Sequence, residues 1–330
     1  MRPPSLLGGR FLYTYEAVTI LQSGCATLHG MKSISTVIGI IVVLGLVAAG
    51  IYFYKFTPPA PANSNQAETP AEETGEQATT TEREAATVIG KSVEGRDITA
   101  YHYGQGDTEI LFIGGIHGGY SWNTSLVAYE LMDYLEKNPA DIPATVTVTV
   151  IPALNPDGLY KVVGKEGRFV AADVPASQTA VVAGRFNAHT VDLNRNFDCV
   201  WKASGTWQNT KVSGGSAAFS EPESAAIKAY VEAHKPRAAV AWYSAAGGVF
   251  ASSCNNGVSD ETLNITNDYA AASGYKAFKE FDFYAITGDM VNWFAKEGIP
   301  AVSVLLTNHK DTEWTKNLAG VKAIFKHFSE

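Results

Sequence analysis

The side chains best suited to chemistry in this 330-residue sequence lie just after apolar runs or in short polar segments between them. His117 follows the run EILFIGG, Tyr243 follows AAVAW, and Arg185 and Arg195 stand between two such runs. Imidazole is a frequent metal ligand. A planar guanidinium group can hold a carboxylate through two parallel, charge-assisted hydrogen bonds. These residue types therefore suit metal binding, anion binding or both.

An alternation of strands and helices is needed to bring these residues together. Apolar runs of strand length occur at 98–104, 109–115, 145–153, 238–243 and 300–306. Patterns typical of helices occur at 122–137, 220–235, 260–273, 288–297 and 312–328. Nearly continuous apolar strands alternating with helices predict an α/β sandwich with a largely buried sheet. Ligand sites in such sheets lie at the carboxyl ends of the strands, where His117 and Tyr243 stand.

The helix predicted over 220–235 carries a start signal. Ser220 is the expected N-cap, Pro222 lies in the first turn, and Glu223 comes three residues after the serine. This spacing is that of a capping box, in which two side chains satisfy free backbone N–H groups. The sequence therefore predicts a helix that starts at Ser220.

Two motifs give the sequence a resemblance to a known family. They are NPDG at 155–158 and VDLNRNFD at 191–198, with His117 before both. In order and spacing they resemble the zinc carboxypeptidases of the carboxypeptidase A/B type, over essentially all of residues 87–330. The resemblance implies an α/β fold with a mixed, mostly eight-stranded sheet sandwiched by helices. It also implies removal of the C-terminal residue of a peptide, or trimming of cell-wall peptides as in bacterial relatives.

The resemblance implies a set of substrate-binding residues. Asn194 and Arg195 match the family's pair for the terminal carboxylate, and Arg185 is the best match for its further arginine. Tyr284 matches the mobile tyrosine that closes over the substrate. Val291 matches the base of the side-chain pocket, where valine favours apolar or aromatic C-terminal residues. Structural ion pairs for the arginines, and a half-buried strand position for the tyrosine, are the alternative interpretations.

The family's three zinc ligands are a His and a Glu near the first motif and a second His after a later strand. His117 matches the first ligand. Ser121 stands at the Glu position, or Tyr120 if the spacing is strict, and Tyr243 stands at the second His position. Neutral Ser and Tyr are poor zinc ligands at pH 7, since zinc sites use Cys, His and Asp or Glu. Zinc is therefore expected from the family, but its binding by this sequence is doubtful.

The family's general base is a Glu near the end of the domain. Leu305 stands at that position, with Leu306 as the neighbouring register. Loss of a general base costs about 10²–10⁴ in rate. Among the other histidines, His189 and His309 are placed to approach the cleft, but no spacing argument brings either to His117. The sequence thus predicts a catalytically impaired or inactive carboxypeptidase-like protein that keeps its clamp for peptide C-termini. The alternative is an active zinc metallocarboxypeptidase that completes its metal site with other ligands.

The N-terminal part predicts a membrane anchor. Residues 36–54 form a 19-residue run without a charge, close to the length of about 20 that spans a bilayer. Basic residues precede the run, so segment 1–35 is expected in the cytoplasm and the main domain outside. A cleaved signal peptide and a secreted protein is the alternative. Residues 1–30 are interpreted as an upstream extension, because Met31 stands immediately before the anchor.

Residues 55–86 read as a disordered linker. Pro, Ala, Thr, Gln and Glu dominate this stretch, and six glutamates face few basic residues. Such a segment cannot bury enough apolar surface to offset its ordering entropy. The formal net charge of −8 argues against a nucleic-acid partner. The expected partners are therefore peptide C-termini or cell-wall peptides, and the membrane through residues 36–54.

Two cysteines, Cys199 and Cys254, lie in the predicted exported domain. An oxidising compartment favours a disulfide between them. Sequence alone cannot show that their Cα atoms are close enough, so two free buried thiols are the alternative.

Overall fold

The computed structural model describes residues 84–329. The predicted segment 1–35, the predicted anchor 36–54 and nearly all of the predicted linker 55–86 lie outside these residues. Within the described part of the chain, no helix is both long and apolar enough to cross a membrane. The predicted carboxypeptidase-like domain, 87–330, is the part whose architecture follows.

Ten strands and seven α-helices are formed by the described residues. The strands are β1 Ala86–Lys91, β2 Asp97–Tyr103, β3 Thr108–Ile113, β4 Val146–Ile151, β5 Ser204–Trp207, β6 Thr210–Ser213, β7 Ala238–Ser244, β8 Gly248–Ala251, β9 Lys276–Phe278 and β10 Ala301–Leu306. The helices are α1 Trp122–Lys137, α2 Pro156–Val163, α3 Gln178–Ala183, α4 Pro222–His234, α5 Asp260–Ser273, α6 Met290–Lys296 and α7 Trp314–His327. Short 3₁₀ turns include Gly118–Ser121 and Leu193–Arg195.

Eight of the strands form one mixed sheet, in the order β1-β2-β4-β3-β7-β10-β8-β9. The central strands β4, β3, β7 and β10 are mutually parallel. β1 and β2 continue the sheet antiparallel at one side, and β8 pairs antiparallel with β10 at the other. The expectation of a mixed eight-stranded sheet is therefore confirmed. Because β3, β7 and β10 are parallel, their carboxyl ends meet at the same edge of the sheet.

The sheet is covered on both faces, which explains its apolar strands. In β3, Ile110 and Phe112 pack into one core, while Leu111 and Ile113 pack into the other. Helices α1, α5 and α7 contribute to the first core, and α4 and α6 contribute to the second. Successive side chains of a strand point to opposite faces, so a strand buried on both sides reads as a continuous apolar run.

All five strands and all five helices that the patterns predict are present, with small shifts at their ends. The capping box is wrong, however. Helix α4 begins at Pro222, and its N-cap is Glu221, without a side-chain cap. Ser220 instead donates to Glu221 Oε1 at 2.9 Å. Glu223 accepts hydrogen bonds from the Val93 N–H at 3.2 Å and from Asn187 Nδ2 at 3.1 Å, so tertiary partners take the place of the local motif.

The predicted pairing of Cys199 with Cys254 is confirmed, since the two form a disulfide with their Cα atoms 5.9 Å apart. Cys199 follows the VDLNRNF segment, and Cys254 follows β8. The carbonyl of Cys199 also accepts a hydrogen bond from the Gly288 N–H at 2.8 Å. The bridge and this bond tie three separate segments together beside the carboxyl edge of the sheet.

Candidate functional site

A cavity of about 800 Å³ lies at the carboxyl edge of the central strands. His117 follows β3, Tyr243 and Ser244 end β7, and His309 follows β10, and all four side chains line this cavity. The sequence-predicted residues Arg185, Asn194, Arg195, Tyr284, Val291 and Leu305 line it as well. The fold therefore brings together every residue predicted for the site except Ser121.

Arg185 is buried and paired with a carboxylate. Its Nε and Nη2 donate to Asp192 Oδ2 at 3.1 and 2.8 Å, and only 2% of its surface is exposed. Burial alone would raise the pKa of Asp192, but the charge of Arg185, together with His117 and Arg195, outweighs it and holds that pKa well below its usual value. The guanidinium also lies 4.3 Å over the Trp207 ring. Arg185 is thus a cavity-lining arginine whose charge Asp192 largely balances.

Arg195 is equally buried but differently partnered. Its Nη1 donates to the Asn194 carbonyl at 2.7 Å, and its Nη2 donates to the Thr206 carbonyl at 2.8 Å. Among the described residues, no carboxylate forms a salt bridge with it. Buried charges in proteins are normally paired. The charge of Arg195 does act on the buried Asp192 and Asp289, where it favours the ionised forms. Its guanidinium, 2% exposed and hydrogen-bonded only to carbonyl groups, lines the cavity, where it can bind an anion from outside the chain.

The Asn194 side chain is held between three partners. Its Nδ2 donates to Asp289 Oδ2 at 2.7 Å, and its Oδ1 accepts the Met290 N–H at 3.0 Å. The Tyr243 hydroxyl donates to the same oxygen at 3.4 Å. These contacts fix the orientation of Asn194 and join the VDLNRNF segment to the N-terminus of α6.

His117 is buried in the cavity wall, and neither of its ring nitrogens makes a hydrogen bond within the described residues. Asp192 Oδ1 lies 3.5 Å from Nε2, beyond ordinary hydrogen-bond length. Burial, together with the positive charge of Arg185, lowers the pKa of His117 to about 4. The ring is therefore neutral at pH 7, and no hydrogen bond from the described residues engages either nitrogen.

Tyr120, rather than Ser121, faces the cavity beside His117. Its ring contacts Trp207 and His309, with centroids 5.0 and 4.4 Å apart. Ser121 is 1% exposed, does not line the cavity, and its hydroxyl has no hydrogen-bond partner within residues 84–329. The spacing that puts Tyr120 at the position of the glutamate ligand therefore agrees with the cavity lining, and the spacing that puts Ser121 there does not.

The positions of the second His and of the general base are adjacent in the sheet. Tyr243 of β7 pairs in register with Leu305 of β10, and both line the cavity. Burial raises the pKa of Tyr243 well above its usual value, so the phenol stays neutral at pH 7. Leu306 packs into the opposite core and is fully buried there. Leu305 is therefore the leucine at the cavity.

The donor set does not fit the three-ligand zinc site that the resemblance implies. Of the residues at the ligand positions, His117 alone is a usual zinc ligand, and Tyr120 and Tyr243 are phenols whose pKa values burial raises. Within residues 84–329, no three His, Cys, Asp or Glu side chains are grouped so as to hold a metal ion. His189 lies away from the cavity and contacts Glu221 at 2.8 Å.

Tyr284 and Val291 lie on the opposite wall. Tyr284 belongs to the loop between β9 and α6, not to a strand, and the Arg195 guanidinium lies 5.9 Å from its ring centre. Val291 is in the first turn of α6 and is 4% exposed. Phe250, Phe281 and Phe283 extend this wall as an aromatic cluster. This side of the cavity is apolar.

Sequence reasoning missed three contacts in the cavity wall. Asp192 and Asp289 stand within or beside the recognised motifs, yet their pairing with Arg185 and Asn194 depends on the fold. Ser244 Oγ lies 2.8 Å from His309 Nδ1 inside the cavity wall. The signal for this contact was present, because one residue ends β7 and the other follows the neighbouring parallel strand β10.

Comparisons with known proteins agree with this arrangement. A family model described as zinc carboxypeptidase matches residues 77–315. The chain is 34% identical to carboxypeptidase Z of Rattus norvegicus over 122 residues, which are 33% of this chain and 17% of that protein. It is 30% identical to carboxypeptidase D of Mus musculus over 122 residues, 33% of this chain and 8% of that one. The matches thus span less than a fifth of these curated relatives.

Solved structures share the fold. Bovine thrombin-activatable fibrinolysis inhibitor, in complex with tick carboxypeptidase inhibitor, superposes with a TM-score of 0.60 at 16% identity, covering 73% of this chain and 89% of that one. Carboxypeptidase A from Helicoverpa armigera superposes with a TM-score of 0.55 at 17% identity, covering 74% and 66%. With the family model matching most of the chain, and with the fold shared by these structures, the protein belongs to the zinc carboxypeptidase family.

Proposed function

We propose that the domain binds the C-terminal carboxylate of a peptide and has lost zinc-dependent hydrolysis. The observation that carries this proposal is Arg195, a buried cavity-lining cation with no carboxylate partner among the described residues. A peptide carboxylate supplies the missing charge and can accept two parallel hydrogen bonds. Asn194 and Tyr284 lie next to Arg195 and are placed to take part.

The apolar wall completes the binding mode. With its carboxylate at Arg195, the terminal side chain of the peptide lies toward Val291 and the phenylalanine cluster. Burial of an aromatic side chain there is favourable by roughly 1.5–3 kcal/mol. The preferred ligand in this proposal is a peptide that ends in an aromatic or large aliphatic residue. Peptides of the cell wall are the other ligand class that the family resemblance implies.

Loss of hydrolysis in this proposal follows from the donor set. A zinc carboxypeptidase needs a metal to polarise the carbonyl group and to activate water. His117 alone cannot supply a three-ligand site, and Leu305 cannot act as a base. The membrane anchor at 36–54 and a location of the domain outside the cytoplasm are part of the same proposal, on the basis of the sequence.

The test is a calorimetric titration of the full-length chain with a peptide ending in Phe, as the free acid and as the amide. The free acid is expected to bind about 10- to 150-fold more tightly, which corresponds to about 1.5–3 kcal/mol for a hydrogen-bonded charged group. Arg195→Ala should remove this preference, since only the free acid uses the guanidinium.

Two results would contradict the proposal. Equal affinities for acid and amide would mean that the clamp is unused. One zinc per chain after dialysis against micromolar zinc, lost in His117→Ala, together with chelator-sensitive release of the C-terminal residue, would establish the active zinc carboxypeptidase instead. A metal count near zero is the expected result.

A further inference from the structure

The cavity wall contains a serine and a histidine in direct contact that carboxylate binding does not use. Ser244 is the last residue of β7, and His309 lies three residues beyond the end of β10. Ser244 Oγ and His309 Nδ1 are 2.8 Å apart, and both residues line the cavity. A nucleophile within hydrogen-bond reach of a base, at the surface of a cleft, is the arrangement that nucleophilic catalysis requires.

The tautomer of His309 decides the direction of this contact. The distance is compatible with a neutral ring that carries its proton on Nε2. In that tautomer the lone pair of Nδ1 faces the serine hydroxyl. Burial lowers the pKa of His309, so the ring is neutral at pH 7 and can accept a proton.

Asn123 holds the loop that carries His309. Its Nδ2 donates to the carbonyls of Asn308 and Asp311 at 2.8 and 3.0 Å. These bonds fix the orientation of its amide group, whose Oδ1 can accept the Ser244 hydroxyl proton at 3.2 Å. That proton has a second, closer acceptor position at His309 Nδ1, 2.8 Å away. Asn123 is fully buried in α1. Ser244 is thus positioned by the end of β7 and by Asn123 of α1, and the same asparagine holds the loop that carries His309.

A cation lies close to this pair. The charge of Arg185 lowers the pKa of His309, and both side chains contact the ring of Tyr120. Asp192 engages Nε and Nη2 of Arg185, and within the described residues Nη1 has no hydrogen-bond partner. A guanidinium N–H in this position can stabilise negative charge that develops on an acyl oxygen.

From these contacts we propose that Ser244 and His309 form a serine-type acyl-transfer site for an ester or amide substrate. His309 Nδ1 takes the hydroxyl proton while Ser244 Oγ forms a bond to the substrate carbonyl carbon. The bond to the leaving alcohol or amine then breaks, and that group leaves with the proton from His309. Water then gives a proton to His309 Nδ1 while its oxygen bonds to the acyl carbon. The bond from that carbon to Ser244 Oγ breaks, and His309 returns the proton to Oγ, which releases the acid and restores the free serine.

This inference extends the proposed function and does not depend on it. Carboxylate binding rests on Arg195, whereas acyl transfer rests on the Ser244 hydroxyl and His309. A fluorophosphonate probe reacts with an activated serine and carries no peptide carboxylate. Its reaction therefore tests the serine site whatever the outcome of the peptide titration.

The experiment is to incubate the full-length chain with a fluorophosphonate and to locate the adduct by peptide mass spectrometry. One adduct per chain is expected, on Ser244. Ser244→Ala should abolish labelling, and Ser253→Ala, which changes another serine of the same cavity, should leave it unchanged. His309→Asn should slow labelling by at least about 100-fold, the lower range for loss of a general base.

Several outcomes would overturn the inference. The first is that, in the wild-type protein, the peptide that contains Ser244 carries no adduct; this result needs no comparison with a variant. Labelling at another serine that persists in Ser244→Ala would do so as well. His309→Asn labelling at the wild-type rate would show that the histidine does not activate the serine. Circular dichroism of each variant confirms that a lost signal reflects chemistry and not unfolding.

Discussion

At the scale of single residues, the two cavity arginines have the same type but different electrostatic environments. Arg185 is neutralised by Asp192, whereas Arg195 has only carbonyl partners among the described residues. A carboxylate ligand gains more from a cation that no carboxylate already engages directly. In the proposed function, Arg195 is therefore the main contributor to anion binding, and Arg185 contributes position and field. This difference depends on partners that come from other parts of the chain.

The side-chain preference of the cavity is testable at Val291. Val291→Asp places a carboxylate at the apolar wall, in the first turn of α6, where a negative charge is compatible with the helix dipole. Peptides ending in Phe should lose about 10- to 100-fold in affinity, and peptides ending in Lys should gain by a similar factor. These factors correspond to the few kcal/mol of a desolvated charge contact.

Val291→Asn is the matched control for that change. Asparagine has nearly the same shape as aspartate but carries no charge. Val291→Asn should therefore weaken binding of the Phe peptide without improving binding of the Lys peptide. Titrations of both peptides against the three proteins give the comparison. An unchanged Phe-to-Lys preference in Val291→Asp would place the terminal side chain elsewhere in the cavity.

At the scale of elements, the loops that line the cavity are held by contacts to their neighbours. Gly288 has φ +64°, and a Cβ atom there would lie 2.2 Å from the Arg195 carbonyl oxygen. Only glycine fits this approach, which keeps the loop before α6 against the arginine. After β10, Glu313 closes the loop that carries His309. Its carboxylate accepts the Thr307 N–H at 2.6 Å and the Tyr275 hydroxyl at 2.9 Å.

Glu313→Gln should destabilise this loop in a pH-dependent way. Burial alone would raise the pKa of Glu313, but the hydrogen bonds from Thr307 and Lys316 outweigh it and lower the pKa. A carboxyl group with a lowered folded-state pKa stabilises above its unfolded value, near 4.3, and loses that effect as pH falls through the folded value. The variant should lose about 1.5–3 kcal/mol of unfolding free energy at pH 7.

Urea unfolding at pH 7 and near pH 3 measures this effect. The difference between wild type and Glu313→Gln should shrink at the lower pH, because the wild-type carboxylate takes up its proton as the pH falls toward the lowered folded-state pKa. Glu232→Gln is the control, since Glu232 forms only an exposed ion pair with Lys228 and should change stability by less than about 0.5 kcal/mol. A difference that stays constant with pH would assign the loss to packing instead of charge.

At the scale of the whole molecule, the domain depends on one sheet covered on both faces and on a covalent tie beside the cavity. The two cores lie on opposite sides of the same strands and share no side chains. Cys199 and Cys254 are 55 residues apart and join the VDLNRNF segment to the end of β8. Closing a loop of that length restricts the unfolded chain and stabilises the fold.

Reduction of this disulfide should lower the unfolding free energy by about 4 kcal/mol, the loop-entropy value for 55 residues. Urea unfolding of the full-length chain with and without a reductant measures the change. A Cys199→Ala and Cys254→Ala double variant serves as the control, because a reductant should not alter its stability. Equal stability of oxidised and reduced wild type would show that the bridge does not stabilise the domain.

The sequence by itself determined the architecture and the inventory of the candidate site. Strands such as EILFI are apolar throughout because both faces of the sheet are covered, so they could be read directly. The NPDG and VDLNRNFD motifs and their spacing to His117 were sufficient to predict the family and the cavity residues. The sequence likewise placed Leu305 and Tyr243 at the positions of the family's general base and second His, since a position in a motif is a property of the chain order.

The tertiary structure alone decided which of those residues are paired and which are free. Asp192 forms a salt bridge with Arg185, whereas no carboxylate of residues 84–329 forms one with Arg195, and Ser244 meets His309 across two strands that are about 60 residues apart in the chain. It also replaced the predicted capping box at Ser220 with contacts from Val93 and Asn187 to Glu223. Hydrogen bonds and ion pairs act over a few ångströms, and distances of that size between distant segments are set by packing, which local sequence patterns do not contain.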